Sequence, residues 1–338
     1  MGRFHFEKSK SFEGVKVIGA YDTDREKRED ARQKGLDVYG ELATFFSAEM
    51  DAVIIATPNQ WHAKYAIAAM RAGKNVMCEK PAAMSADEMM DIMAVSKETG
   101  KFFTVHQQRR WDSDYRLVSD LIHSGQIGNV TTIESRVLGE RGVCFGWRAD
   151  PESGGGMLYD WGTHLIDQIL QLYESEHVTS VYARVLSVLT PAVDDFFEIT
   201  LFLSNGVCAK IMVGTFALQK LPRWFIFGDR GTLRLDDFSG KIGGISRIKG
   251  DVQGFESVVG QKAIGPSRTM APLKKEHIEQ IDLPYEDDQS LAFWSNFAAA
   301  LKGEADLYVT QNQILRQMKV IEAVFESAEK NEVIKVTI

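Results

Sequence analysis

Short apolar runs alternate with amphipathic stretches over the first third of the chain. The apolar runs are nearly continuous and predict strands buried on both faces: residues 15–21, 52–57, 75–79 and 102–105. The amphipathic stretches predict helices: residues 24–34, 62–71, 85–97 and 111–124. Strands and helices that alternate at this spacing predict right-handed βαβ units of a doubly wound parallel α/β sheet, of the Rossmann type. Ser85, three residues before Glu88, predicts a capping box at the start of one helix.

Longer β-rich segments follow after residue 124 and predict a large open, mainly antiparallel sheet: residues 130–138, 178–188, 196–203 and 207–216. Ser204-Asn205-Gly206 predicts a hairpin turn between the last two. One long helix is predicted over residues 156–173, and two more over residues 289–301 and 311–329 can pack back on the first part. Residues 240–285 show no regular pattern.

Composition and charge exclude several classes of partner. The chain has 338 residues and a net charge of −8, which argues against a nucleic-acid partner held by bulk charge. Three widely spaced cysteines (Cys78, Cys144 and Cys208) predict neither a disulfide framework nor a metal site, and favour a reducing compartment. No apolar stretch approaches the roughly 20 residues of a membrane span. A cytoplasmic protein without a membrane partner is therefore expected.

The beginning of the chain resembles the second half of a dinucleotide-binding unit. Such a unit runs from a strand through a Gly-rich turn into a helix and a second strand, with an acidic residue roughly 20 positions past the glycines. Here Gly2 begins a helical stretch and Asp22 ends the next strand, 20 positions later. Asp22 is then expected to accept the adenosine ribose hydroxyls, which favours NAD over NADP. A turn or helix cap at residues 22–24 is the structural alternative.

The first strand and the first two glycines of that unit are not present in the chain. In the usual strand order, the first strand lies in the middle of the sheet, so its absence predicts two unpaired strand edges. It also predicts loss of the backbone cradle for the pyrophosphate. We expect translation to begin upstream of Met1. The alternative is a protein that has lost dinucleotide binding.

Two motifs carry candidate chemistry. Lys80, in Glu79-Lys80-Pro81, follows a predicted strand at the sheet edge where ligands collect, and can exchange a proton with a substrate oxygen. A solvated charge pair is the alternative. Asp160 and His164 are four residues apart on a predicted helix, after three glycines that permit close approach of the backbone to a ligand. A carboxylate beside an imidazole raises its basicity and suits a general base, although such pairs are also structural.

Together, Glu79-Lys80-Pro81 and the pattern Gly-Gly-Gly-x-x-x-Asp-x-Gly-x-His at residues 154–164 resemble the glucose–fructose oxidoreductase/inositol dehydrogenase (Gfo/Idh/MocA) family. The resemblance extends from Gly2 to the last helix. It implies a dinucleotide-binding domain at residues 1–123 and an α+β domain for substrate binding and oligomerisation at residues 124–338. It also implies a catalytic set of Lys80, which hydrogen-bonds the reacting oxygen, Asp160, and His164 as the acid/base.

The resemblance assigns further positions by motif. The cofactor-binding set that it implies, with Gly2, Asp22 and Lys80, is Thr57, Pro58, Asn59, His62, Glu79 at the nicotinamide ribose and Gln108. Gln108 stands where the family has Asn. Trp147 and Arg148 resemble a pair at the edge of the substrate pocket, where Lys80, Asp160 and His164 are also expected. Core packing is the alternative for Trp147.

The expected activity is hydride transfer between NAD, less favourably NADP, and a secondary alcohol or carbonyl of a sugar or polyol. Two alternatives stay open: an NAD-using glycosidase of the same family, and a non-catalytic sugar-binding protein. Family resemblance also implies a homo-oligomer, a dimer or tetramer, that pairs through the antiparallel sheet.

Overall fold

The computed structural model describes residues 1–143, 145–250, 273–283, 289 and 291–338. Its first part contains two small parallel sheets. The first pairs β1 (Gly19–Tyr21) with β2 (Asp37–Tyr39), and the second has the order β3 (Ala52–Ile55), β4 (Asn75–Cys78), β5 (Phe103–Val105). The helices of this part are α1 (Gly2–Lys10), α2 (Arg25–Gln33), α3 (Leu42–Ser47), α4 (His62–Arg71), α5 (Ala86–Thr99) and α6 (Ser113–His123).

The parallel strands form two separate sheets, one that contains β1 and one that contains β3. In the described chain no ladder joins these two strands, so each has an unpaired edge, as the sequence predicts. β1 is shorter than its apolar run because only residues 19–21 find a partner, on β2. The central strand β4 is fully buried at Val76, Met77 and Cys78, which explains its continuous apolar run.

Polar side chains begin the helices as the sequence predicts, with one difference. Asp24 caps α2 by accepting from the Glu26 amide at 2.8 Å. Ser85 caps α5 by accepting from the Glu88 amide at 3.1 Å. The Glu88 carboxylate, however, accepts from the amide of Met84 rather than that of Ser85. The second hydrogen bond of the predicted capping box is therefore made to the residue before the N-cap.

The second part is built on one nine-stranded sheet that is antiparallel except for β6 beside β9. Its strands are β6 (Val130–Leu138), β7 (Val178–Leu186), β8 (Phe196–Leu203), β9 (Cys208–Gly214), β10 (Trp224–Gly228), β11 (Gly231–Leu235), β12 (Gly243–Ile248), β13 (Ile278–Ile281) and β14 (Ile334–Lys335). They lie in the order β13-β12-β11-β10-β6-β9-β8-β7-β14. The predicted hairpin at Ser204-Asn205-Gly206 joins β8 to β9.

Residues 240–285 are not wholly irregular, contrary to the prediction. They contain β12 and β13, which pair with each other, while residues 251–272 and 284–285 lie outside the described part. Strand β12 begins with two glycines and has only Ile245 fully buried, so apolar and polar residues do not alternate clearly along it. The apolar pattern therefore does not reveal it.

The helix predicted over residues 156–173 consists of two pieces. A π-helical turn, Leu158–Gly162, leads into α7 (Thr163–Leu172), which is buried along almost its whole length. Gly162 packs against Leu158 and β8, where a Cβ would be too close to the Leu158 side chain. This close packing and the wider turn place Asp160 differently from a regular helix.

The last two helices pack back on the first part, as predicted. They are α8 (Ala292–Leu301) and α9 (Gln311–Lys330). Glu322 on α9 accepts from the Ala86 amide at the start of α5, while Ser327 accepts from Ala183 on β7. Helix α9 therefore bridges the parallel and antiparallel parts. Among the described helices, none is long and apolar enough to cross a membrane.

Candidate active site

A cavity of about 260 Å³ lies at the carboxyl edge of β3–β5, between this edge and the turn before α7. Open α/β sheets bind ligands at this edge because the loops that follow the strands converge there. The lining residues come from both parts of the chain and are Met1, Ala56, Thr57, Asn59, His62, Glu79, Lys80, Gln108, Arg109, Trp147, Arg148, Gly154, Gly155, Gly156, Tyr159, Asp160, Trp161 and His164.

Lys80 and Asp160 form the centre of this cavity. The Lys80 ammonium donates to the main-chain oxygen of Asp160 at 2.7 Å and forms an ion pair with its carboxylate. Both side chains are largely buried, so water screens this pair less than a surface pair. The ion pair joins the end of β4 to the π-helical turn. The positive charge of Lys80 balances the negative charge of the Asp160 carboxylate.

His164 lies in the same cavity but does not form the predicted pair with Asp160. The carboxylate binds Lys80 instead, because the π-helical turn directs Asp160 towards the end of β4. Burial lowers the pKa of His164 well below its ordinary value, and the charges of Lys80 and Arg109 lower it further. The imidazole is therefore neutral at pH 7, and the prediction that Asp160 raises its basicity is wrong.

Glu79 borders the cavity, and two buried histidines contact its carboxylate. His5 Nε2 lies 2.6 Å from Glu79 Oε1, and His106 Nδ1 lies 3.3 Å from the same oxygen. Burial alone would raise the pKa of Glu79, but the neighbouring His106 and His5 rings hold it well below its ordinary value. This carboxylate is therefore ionised, and its orientation is fixed by α1 and by the residue after β5.

The expected cofactor residues divide into two groups. Six of them border the cavity: Thr57, Asn59, His62, Glu79, Lys80 and Gln108. Gly2, Asp22 and Pro58 are not part of its lining, although Met1, beside Gly2, is. Asp22 lies at the end of β1 and accepts from the Asp24 amide at 2.9 Å. It therefore stabilises the turn at residues 22–24, which was the structural alternative to a role in cofactor binding.

Two of the bordering side chains are already engaged by the protein. The Asn59 amide donates to the Gly154 oxygen at 2.7 Å. His62 has one ring nitrogen 2.6 Å from the Pro81 oxygen and the other 3.0 Å from the Thr57 oxygen. Both residues therefore hold the loops of the cavity together.

The three glycines permit close packing within the protein, not only close approach to a ligand. A Cβ on Gly154 would be too close to Met84 and Asn59, and one on Gly155 would collide with the backbone at Arg148. Gly156 has φ = +102°, which side chains rarely adopt, and lies against the carboxylate of Asp194. The glycines thus let the turn pack tightly between neighbouring segments before it enters α7.

Arginines and aromatic rings form the outer wall. Arg148 stacks on Trp147 at 4.4 Å from the ring centroid, and its Nε lies 4.0 Å from Asp160 Oδ1. Arg109 stacks on Trp161 at 4.3 Å from the centroid and pairs with Asp112. Trp147 and Arg148 therefore lie in the wall, where they were expected.

Sequence reasoning overlooked several contributors. Arg109 follows Gln108 and Trp161 follows Asp160 in the sequence, so these positions could have suggested them. His5, His106 and Asp194 gave no local signal, because each acts through a residue distant in the chain. Asp167, one turn after His164 on α7, pairs with Arg110 through two hydrogen bonds.

The lining fits the nicotinamide end of a dinucleotide. In the described part of the chain, four buried lining atoms have no hydrogen-bond partner: Thr57 Oγ1, Gln108 Oε1, Arg109 Nε and His164 Nδ1. A buried polar atom without a partner costs about 1–3 kcal/mol. A carboxamide, a ribose or a substrate hydroxyl offers the groups that these atoms lack.

Two family descriptions match the chain. Residues 1–107 match an oxidoreductase family with an NAD-binding Rossmann fold, and residues 115–234 match the GFO/IDH/MocA C-terminal domain. Among solved structures, an NAD-binding protein from Listeria innocua is 37% identical, with a TM-score of 0.94. That similarity covers 99% of this chain and 96% of the other.

Relatives known by sequence are named oxidoreductases. An uncharacterized oxidoreductase of Schizosaccharomyces pombe is 30% identical over 45% of this chain, and the match spans only 42% of that protein. The scyllo-inositol 2-dehydrogenase (NADP(+)) IolW of Bacillus subtilis is 26% identical over 84% of this chain and 78% of its own length. The parallel unit, the mostly antiparallel sheet and both family matches agree: the chain belongs to the Gfo/Idh/MocA family of oxidoreductases and carries its NAD-binding Rossmann fold.

Proposed function

We propose that the chain transfers a hydride between a nicotinamide cofactor and a secondary alcohol or carbonyl of a sugar or polyol. The observation that supports this most directly is the meeting of Lys80, Asp160 and a neutral His164 at one cavity. Membership of an oxidoreductase family gives the reaction type. The name of the IolW relative supports a cyclic polyol or sugar as the substrate class.

Oxidation of a secondary alcohol removes a hydride from carbon and a proton from oxygen. The nicotinamide, when bound, supplies the hydride acceptor that side chains cannot provide. Lys80 is placed to donate a hydrogen bond to the reacting oxygen and to stabilise its developing negative charge. His164, kept neutral by burial, has a free ring nitrogen that can take the proton. Asp160 holds the Lys80 ammonium in place.

The preference between NAD and NADP is part of this proposal. Asp22 lies at the carboxyl end of β1 with an exposed side chain, where a carboxylate accepts ribose hydroxyls and repels a 2′-phosphate. NAD is therefore the proposed cofactor. We also propose a homo-oligomer, because the open sheet leaves Phe202 and Phe227 partly exposed.

A screen of sugars and polyols with NAD and with NADP tests the proposal. The absorbance of reduced nicotinamide should rise with at least one cyclic polyol or sugar, and faster with NAD than with NADP. Hydrolysis of a glycoside without net NADH would instead support the glycosidase alternative. Failure of NADH fluorescence to respond to added protein would contradict dinucleotide binding and support the non-catalytic alternative.

A further inference from the structure

Asp194 touches the segment that carries Asp160 but lies outside the cavity lining. Its main-chain oxygen accepts from the Met157 amide at 3.0 Å, and its Oδ2 accepts from the Leu158 amide at 2.7 Å. Met157 caps the π-helical turn and Leu158 is its first residue, so these two amides have no partner within the turn. Asp194 thus satisfies consecutive donors at the start of the segment that leads to Asp160 and His164.

Gly156 also packs against the Asp194 carboxylate. It adopts φ = +102°, and any Cβ there would collide with the Asp194 carboxylate. Its main-chain oxygen accepts from the Asp160 amide at 3.1 Å. Asp194 is therefore separated from the backbone of Asp160 by one glycine, in a place where no larger residue fits.

The large sheet holds Asp194 rigidly. Its neighbour Asp195 is fully buried, and the Asp195 carboxylate accepts from three successive amides: Val188, Leu189 and Thr190. Asp195 also bonds through its main chain to Leu186 and Thr215, at the ends of two strands. Asp194 is thus attached to the large sheet. The Met157 and Leu158 amides that it binds belong to the turn that leads to Asp160, here called the active-site turn.

We propose that Asp194 is a positioning residue for the Lys80–Asp160 pair. Its carboxylate holds the Leu158 amide and its main-chain oxygen holds the Met157 amide, so that the oxygens of Asp160 meet the Lys80 ammonium. The proposal deepens the proposed function and rests on it for its kinetic test, but its structural test needs no substrate.

The kinetic test compares Asp194→Ala, Asp194→Asn and a matched control, Asp229→Ala. Asp229 also accepts from a backbone amide, that of Asn129 at 2.9 Å, beside a glycine with positive φ. It lies in the turn between β10 and β11 and is not part of the cavity. The control therefore loses the same kind of bond at a distance from the chemistry.

We expect Asp194→Ala to lower kcat by about 10- to 100-fold, because a misplaced reacting group costs this much, while the KM for NAD changes little. Asp194→Asn keeps an oxygen for the Leu158 amide and should restore kcat to within about 3-fold of the native value. Asp229→Ala should leave kcat unchanged. If Asp194→Ala keeps native kcat, or if Asn gives no rescue, the proposal is overturned.

Amide hydrogen exchange tests the positioning without any reaction. In Asp194→Ala, protection at Leu158 and Asp160 should fall by about 10-fold or more, while protection in β8 stays native. Gly156→Ala provides a second variant if Asp194→Ala does not fold, and should show the same local loss. Unchanged protection at Leu158 would contradict the proposal. A chain that shows this local loss but oxidises no substrate would contradict only the proposed function.

Discussion

Lys80 is the residue on which the proposed chemistry most depends, and its surroundings explain why. Its position after a buried strand is readable from sequence, because the carboxyl ends of parallel strands meet at one edge. Its partner is not readable, because Asp160 lies 80 residues away and reaches it only through the π-helical turn. The same turn removes Asp160 from His164, which sequence spacing placed together.

Replacing Lys80 with Met should remove turnover and spare cofactor binding. The substitution keeps most of the side-chain volume but loses the donor to the reacting oxygen, so kcat should fall by about 100-fold or more. Affinity for NADH, measured by fluorescence titration, should stay within about 3-fold of the native value.

Lys74→Met provides the control for this change. Lys74 lies just before the other end of β4, where its ammonium donates to the Ala48 oxygen at 2.8 Å. Its loss should leave kcat native. Full activity in Lys80→Met would refute the assignment of Lys80.

Asp194 also gives a prediction about stability and pH. Burial raises its pKa to about 6 from an ordinary value of 3.8, and the hydrogen bond from the Leu158 amide offsets this only in part. The folded state therefore holds this proton to higher pH than the unfolded state. The stability contributed by protonation is present below pH 4 and is lost as pH rises through about 6.

Asp194→Asn removes this titration and should stabilise the protein above pH 6, by about 2–3 kcal/mol at pH 8. The gain in Tm over the native chain should shrink towards pH 4. Asp229→Asn serves as a comparison, because hydrogen bonds from Asn129 lower the pKa of Asp229 and its pH dependence has the opposite sign. A gain that is equal at pH 4 and pH 8 would contradict this account.

At the scale of elements, burial decides which segments the apolar pattern reveals. Strands β4 and β5 are buried on both faces and read as continuous apolar runs, while β3 beside them is fully buried on one face only. Strands β10 to β13 are short and have few buried positions, so their pattern is faint. Sequence reasoning therefore recovers the inner strands of the large sheet and misses its outer half.

The cap of α5 predicts a measurable change in stability. Ser85→Ala removes the oxygen that accepts from the Glu88 amide and should lower the free energy of unfolding by about 1 kcal/mol. Ser295→Ala, on the exposed side of α8, removes only a bond to a carbonyl and should have almost no effect. Urea unfolding of both variants measures the difference. Equal destabilisation of the two would rule out a capping contribution from Ser85.

At the scale of the molecule, buried polar contacts join segments that the sequence keeps far apart. Arg223, fully buried, bonds to Ser135 on β6 and Gln168 on α7, and its Nε lies 3.2 Å from Asp114 on α6. Burial lowers its pKa to about 10, although the Asp114 charge opposes this. The network thus connects the large sheet to α6 and α7.

Arg223→Met should destabilise the protein by about 3–5 kcal/mol, because it leaves the Asp114 carboxylate buried without its cation. Arg184→Met breaks an exposed pair with Glu198 and should cost about 0–1 kcal/mol. Denaturant unfolding of the two variants separates these cases. A loss for Arg223→Met as small as that for Arg184→Met would show that the network contributes little.

The sequence by itself determined most of the alternation of strands and helices in the first part, without the short β2 and α3. It also determined the antiparallel character of the second part and the two motifs that meet at the cavity. These features depend on local periodicity and on which end of a strand a residue follows, and both are written along the chain. Only the tertiary structure decided that Asp160 binds Lys80, that His5 and His106 hold Glu79, and that Asp194 anchors the active-site turn. These contacts join residues distant in sequence, so packing and burial select the partners, and no spacing rule contains them.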